Sequence, residues 1–120
     1  MTQSSGVFTF PSTGYWYVSF DAVVSGGDHT KFHLINIDAT TDNATYVEVT
    51  RAQANQPSTS GIGTGYGNAH CSVILDVTST SNVKCRFDVT SVHNTGATTN
   101  TYGSSTSNYT YFTFLRLADT

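Results

Sequence analysis

The chain has 120 residues, a formal net charge of −3 and only 11% charged side chains, whereas 12% are aromatic. A single domain of this length buries roughly two-thirds of its unfolded surface; the acidic balance argues against a nucleic-acid partner, which needs a basic stripe, and seven Tyr with seven Phe argue against disorder. Thr, Ser, Asn and Gly dominate the polar fraction, helix formers such as Leu, Glu, Lys and Met are scarce, and no apolar run approaches the roughly 20 residues of a membrane helix.

In chain order, the predicted strands are Val7-Phe10, Tyr15-Val24, Lys31-Asp38, Thr45-Ala52, Ala69-Val77, Val83-Val92 and Tyr109-Leu117. The second is the most informative. Trp16, Val18, Phe20, Ala22 and Val24 fall on one face at period two, and Tyr15, Tyr17, Ser19 and Asp21 on the other. One face is expected to meet the chain's own core and the aromatic opposite face a partner. Tyr15-Val24 and Tyr109-Leu117 read as buried on both faces. Val83-Thr90 alternates without a break and is expected to cover a solvated side. Turn signals stand at Ser25-Gly26-Gly27-Asp28, Ala39 to Asn43 and Ser79 to Asn82. Two longer gaps, Gln53 to Asn68 and Asn94 to Asn108, read as loops. Short strands, frequent turns and no helical period predict an all-β antiparallel sandwich in one domain, residues 1–120.

Cys71 and Cys85 are expected as buried free thiols. A simple hairpin of residues 69–92 around Thr78 to Asn82 pairs Leu75 with Cys85 and Cys71 with Val89. That register leaves the two sulfurs too far apart to bond.

Gly6-Val7-Phe8, Pro11 and Gly14-Tyr15-Trp16-Tyr17-Val18-Ser19-Phe20 follow the Gly-x-Phe, Pro, Gly-x-Tyr-x-Phe-x-aromatic plan of C1q-type heads, with Trp16 and Val18 at the Tyr and Phe positions. The closing Tyr111-Phe112-Thr113-Phe114-Leu115-Arg116-Leu117 is similar to the Tyr-Phe-Gly ending of tumour-necrosis-factor-type chains. The chain therefore resembles the tumour-necrosis-factor/C1q-like jelly-roll family over residues 6 to 117. The resemblance implies a homotrimer. Trp16, Val18, Phe20, Phe112 and Phe114 would fill its core, and Tyr15, Tyr17, Tyr111 and Leu115 would face its three-fold axis. Thr113 stands in place of the closing Gly, and Thr78 to Asn82 replaces the usual Gly-Asp turn. The family also begins with one or two strands ahead of the Gly-x-Phe segment, where only Met1 to Ser5 stand. An inner sheet lacking its first strand has an open edge, expected to be covered by a neighbouring chain or a particle surface.

No catalytic or cofactor motif is present: no Gly-x-Ser-x-Gly, no phosphate-binding loop and no His-Glu-x-x-His. Gly61 to Gly67 lacks the Lys-Ser/Thr ending of a phosphate loop and reads as a plain loop. His29 and His33 lie four apart, roughly 13 Å along a strand, too far to share a metal. His70 and His93 have no evident nucleophile or carboxylate partner. Asp28, Asp38 and Asp42 do not form a ligand-dense run, so no metal is expected. Asn43-Ala44-Thr45 and Asn108-Tyr109-Thr110 match the glycosylation triplet by chance in so Asn- and Thr-rich a chain. Tyr66 and Tyr102 are rigid amphipathic rings on Gly- and Ser-rich loops, and are the candidate surface-binding residues.

The expectation is a non-enzymatic viral structural protein, of a bacteriophage above all, forming a trimeric knob on the virion surface as capsid decoration. Its partners would be its own copies and other virion proteins, with no cofactor, no nucleic acid and no membrane insertion. The absence of a signal peptide at Met1 fits synthesis in a host cytoplasm and release in a particle. The absence of a stalk, heptads or a collagen-like repeat favours a self-contained knob. The alternative is a receptor- or glycan-binding head domain of a tail fibre or adhesin, engaging a host surface glycan through Tyr66 or Tyr102.

Overall fold

The period-two alternation after Gly14 resolves into one of the two longest strands among the described residues, hydrogen-bonded on both sides. A computed structural model describes residues 1–26, 30–55, 64–93 and 99–120 of the chain. Among them are nine strands and no helix: β1 (Thr2–Ser4), β2 (Val7–Thr9), β3 (Gly14–Gly26), β4 (Thr30–Thr40), β5 (Val47–Asn55), β6 (Gly65–Val77), β7 (Lys84–His93), β8 (Thr99–Tyr102) and β9 (Tyr111–Ala118). They form two antiparallel sheets. One has the order β1-β2-β7-β4-β5; in the other β6 pairs one edge of β3, and β9 followed by β8 pairs its opposite edge.

Alternation decides which face meets which sheet. Val18 and Val24 are fully buried, and Trp16, Phe20 and Ala22 nearly so. They pack against Ile35 and Ile37 of β4 and Cys85 of β7 from the other sheet, with Phe10 and Val77 closing one end. The Trp16 indole donates its N–H to the Ser12 carbonyl at 3.1 Å, so its one polar atom is satisfied. At one margin β5 runs beside β6. At the other the sheets are bridged by rings: Phe87 stacks on Phe112 at 4.0 Å between centroids, and Phe8 meets Phe87, Phe112 and Phe114 at 5.2 to 5.5 Å.

All seven predicted strands are present, the widest difference being the start of β6 at Gly65 rather than Ala69. Four expectations need correction. First, residues 69–92 are not a hairpin. β6 pairs β3 along its whole length and β7 pairs β2 and β4, so residues 78–83 carry the chain across from one sheet to the other. Both cysteines are free and buried in the space between the sheets. Second, a strand does precede Gly6. β1 turns back on β2 through Ser5 and Gly6, whose φ values of 50° and 81° are those of a two-residue primed turn. This hairpin extends the larger sheet, and β9 has no strand on its free side among the described residues. Third, neither β3 nor β9 is buried on both faces: Tyr15 is 42%, Phe112 40% and Leu115 55% exposed, because among the described residues nothing covers the outward face of this sheet or lies beyond the β9 edge. Fourth, Tyr66 and Tyr102 lie on strands, Tyr66 in β6 and Tyr102 closing β8, because β3 is long enough to pair the backbone at both positions.

Gly14 shows why the long strand begins where it does. Its φ is +131°, and a Cβ there would collide with the Ala118 carbonyl at the end of β9. The same place carries the register shift that moves β9 from pairing with Trp16 to pairing with Tyr15. The Arg116 guanidinium closes the junction by donating Nε–H to the Thr13 carbonyl at 3.0 Å and pairing with Asp119.

Two buried or folded-back groups carry the polar order of the larger sheet. Asp38 is almost wholly buried and accepts two hydrogen bonds from Arg86, at 3.0 and 2.8 Å, and one from the Asn36 amide at 2.7 Å. Arg86 also lies over the Tyr46 ring, 4.8 Å from its centroid. Asp42 accepts from the backbone N–H groups of Thr45 and Ala44 and from the Thr40 hydroxyl, all within 2.8 Å. These bonds favour the carboxylate and lower its pKa from 3.8 to about 2.

Three outcomes follow. Replacing Gly14 by Ala should lower the melting temperature, through forced strain at positive φ and the collision with Ala118, as differential scanning calorimetry will read. Because Asp42 titrates lower in the folded chain than in the unfolded one, the stability its charge contributes is complete above pH 3.8 and disappears as pH falls towards about 2. Asp42→Asn should flatten the fall in melting temperature over that interval. Burial pushes the Cys71 thiol up to about 11, helped by the charges of Asp21 and Glu48, and burial alone takes Cys85 to about 12. Neither should react with a disulfide reagent at pH 8 in the native state, and both should react once urea unfolds the chain.

Candidate functional site

The face of β3 turned away from the core is laid out in transverse rows, since the residues opposite each other on β6, β3 and β9 or β8 point the same way. From the Gly14 end the rows run Asp76–Tyr15–Ala118, then Ile74–Tyr17–Leu115, then Ser72–Ser19–Thr113, then His70–Asp21–Tyr111, then Asn68–Val23–Tyr102, then Tyr66–Ser25–Asn100. The face is therefore divided in character along its length. The Ile74–Tyr17–Leu115 row is apolar, with Leu117 beside it 49% exposed, and in the row before it Tyr15, 42% exposed, stands opposite the exposed Asp76. A middle row of hydroxyls separates it from an end that is aromatic and amide-rich.

At that far end the rings of Tyr66 and Tyr102 meet edge to face at 5.6 Å, and Tyr102 meets Tyr109 in the same manner at 5.0 Å. Tyr66 is thus brought from β6 to stand beside Tyr102 and Tyr109, which are seven residues apart. Thr110 fastens the arrangement. Its hydroxyl donates to the Tyr102 carbonyl at 2.8 Å and accepts from the Val23 N–H at 3.3 Å, which ties Tyr109 and β8 to the central strand. With Asn68 and Val23 the three rings line a cavity of about 390 Å³. A second cavity of about 300 Å³ adjoins it, sharing Val23, Asn68 and Tyr109 and extending over Asp21, His70, Asn108 and Tyr111.

The Asp21 carboxylate and His70 Nδ1 stand 2.8 Å apart across the β3–β6 ladder. His70 therefore has a carboxylate partner that sequence spacing did not reveal. The pair is not a hydrolytic triad, since Ser19, the hydroxyl beside it, donates to Asp21 at 3.5 Å and not to the imidazole. What it offers is a fixed hydrogen-bonding wall.

The sequence-predicted residues separate between the two ends. Tyr15, Tyr17 and Leu115 sit together at the apolar end, whereas Tyr111 lies opposite Asp21 on the wall of the second cavity. Tyr66 and Tyr102 are brought into contact with each other. Tyr109, Asn68 and Asp21 join them without having been singled out as binding residues. The alternation Tyr66-Asn68-His70, in register with Ser72 and Ile74, is the signal that could have placed the first two on one face. Of the carboxylates considered for a metal, Asp38 and Asp42 are occupied by Arg86 and by backbone N–H groups, and Asp28 lies outside the described residues, as do His29 and Gly61 to Gly63. Among the described residues no group of three or more His, Cys, Asp or Glu side chains is placed to hold a metal ion, and no helix is long and apolar enough to cross a membrane.

No family model matches this chain, and no curated protein matches it.

Proposed function

We propose that this chain is a non-enzymatic structural protein of a virus particle, a bacteriophage above all, which assembles as a homotrimer into a jelly-roll knob decorating the capsid surface. The observation that carries the reading is the apolar end of the smaller sheet. Tyr15, Leu115 and Leu117 are 42%, 55% and 49% exposed and stand next to Tyr17, and Ile74 across the ladder is 59% exposed. A contiguous outward apolar patch of this kind marks an interaction surface.

The patch continues around the β6 edge to Val47 and Val49 of β5, 56% and 38% exposed, which share a groove of about 440 Å³ with Ile74, Leu75 and Val83. A closed three-fold ring is built from a heterologous contact, in which two different surfaces of each subunit meet. The β3–β9 face and the β5–β6 edge, whose groove is lined by Asp42, Asp76 and three threonines as well as by the valines, offer two such surfaces. The strand pairings also favour the jelly-roll reading. β2 pairs β7, β3 pairs β6 and β4 pairs β5, each nested inside the last and alternating between the sheets. That is the winding of one antiparallel ribbon around a barrel-like core. The free side of β9, with Phe112 40% exposed above it, leaves room for a strand or surface of another particle protein. The lysine-poor, hydroxyl-rich composition suits a particle exposed to the environment.

Multi-angle light scattering of the purified chain should return about three times 12.9 kDa. Leu115→Asp, placed in the middle of the exposed patch, should shift it to the single-chain mass while circular dichroism keeps its strand signature. A well-folded wild-type monomer at micromolar concentration would sink the assignment of this face.

A further inference from the structure

We propose that the two adjoining cavities at the far end of the smaller sheet form one binding site for a neutral oligosaccharide. Tyr66, Tyr102 and Tyr109 are its stacking platform, and Asn68, Asn108 and the Asp21–His70 pair its hydrogen-bonding wall. The site lies at the other end of the face from the assembly surface and stands independently of it.

Exposure is the first argument. Tyr66, Tyr102 and Tyr109 are 59%, 40% and 42% exposed. A ring that merely pinned its own segment to the sandwich would be buried under it. These rings lean on one another instead, at right angles, and leave faces open to solvent. A pyranose ring has an apolar face of C–H groups and a rim of hydroxyls, so it stacks on an aromatic face while its rim seeks planar polar partners. The neighbouring partners are of that kind. Each Asn amide offers both donor and acceptor in one plane, and the Asp21 carboxylate offers two acceptors, suited to adjacent hydroxyls.

Shape and charge narrow the ligand. The cavities, about 390 and 300 Å³, lie within the volume range of small-molecule sites. Because they share Val23, Asn68 and Tyr109, they form a continuous trough. From the Tyr66 row to the His70 row is four residues of strand, about 13 Å, enough for roughly two to three linked sugar rings. Among the described residues no Lys or Arg lines either cavity, and Asp21 supplies the only carboxylate. Sialylated, sulfated or phosphorylated ligands would meet repulsion without a compensating cation. The platform is also preorganised: β3 is paired on both edges beneath it and Thr110 clamps Tyr102 and Tyr109, so little ordering cost is left for binding.

The test is saturation-transfer NMR of the intact chain against maltohexaose, cellohexaose and hexa-N-acetylchitohexaose as neutral probes, with 3′-sialyllactose and a trigalacturonate as anionic ones. At least one neutral probe should bind with a dissociation constant on the order of a millimolar or tighter. Tyr102→Ala and Tyr66→Ala should each weaken it at least tenfold. Tyr66 is the more exposed ring, so its variant should keep the wild-type melting temperature and report binding free of any folding effect. Leu115→Asp, outside the trough, should bind the probe as the wild type does, whatever its oligomeric state. Binding of none of the neutral probes, stronger binding of an anionic probe, or binding untouched by Tyr66→Ala overturns the proposal.

Discussion

The thirteen consecutive backbone pairings between β3 and β6, from Gly14–Val77 to Gly26–Gly65, are the constraint on which the remaining structure depends. Side chains alternate strictly along a paired strand, so an unbroken register assigns every residue of both strands to one of two faces at once. A slip of β3 by one position would turn Trp16, Val18 and Phe20 out to water and bring Tyr17 and Asp21 into the core. Gly14 starts the register and the two edges of β3 are both occupied, so the outward rows are held in fixed lateral order. The apolar end and the tyrosine end owe their separation to this single ladder.

The two margins of the sandwich are closed by different physics. On the β5–β6 side, backbone approaches backbone. On the β2–β9 side the gap is spanned by Phe8, Phe87, Phe112 and Phe114, with Phe20 beneath them at 5.4 and 4.9 Å from Phe87 and Phe112. Such ring pairs contribute about 0.5–1.5 kcal/mol each beyond the area they bury. They hold β9 against the core although, among the described residues, one side of that strand carries no neighbour. Large, shape-specific side chains here do what a further strand would otherwise do.

Much of this architecture is legible in the sequence because it rests on periodicity. The face of β3 that alternates Trp16, Val18, Phe20, Ala22 and Val24 is buried as the pattern requires. The unbroken alternation of Val83 to Thr90 becomes the central strand β7. β1 and β8 were not legible: Thr-Gln-Ser and Thr-Asn-Thr-Tyr carry no apolar rhythm and become strands only because β2 and β3 leave an edge to pair with. The partner of β6 was misread because Thr78 to Asn82 has the composition of a hairpin turn, and a crossover between sheets uses the same residue types. The binding face was half legible. Tyr66 and Tyr102 stood out as rings amid small residues, but their meeting with Tyr109 is a tertiary event, as is the approach of His70 to Asp21 across a ladder that links positions 49 apart.

The placement of β9 has a kinetic meaning as well. Leu115 pairs with Tyr17, and Phe112 with Phe20, almost the full length of the chain away. Closing so large a loop brings entropy loss before any contact compensates it, which makes folds dominated by such pairings slow to form. Until β9 arrives, Phe8, Phe20 and Phe87 have one another but lack Phe112 and Phe114, and one edge of β3 from Tyr15 to Asp21 stands unpaired. Open rings and an unpaired strand edge are the surfaces through which an incompletely folded copy would adhere to another. How quickly one copy completes itself, relative to how often it meets another, will set how much of it reaches the native state.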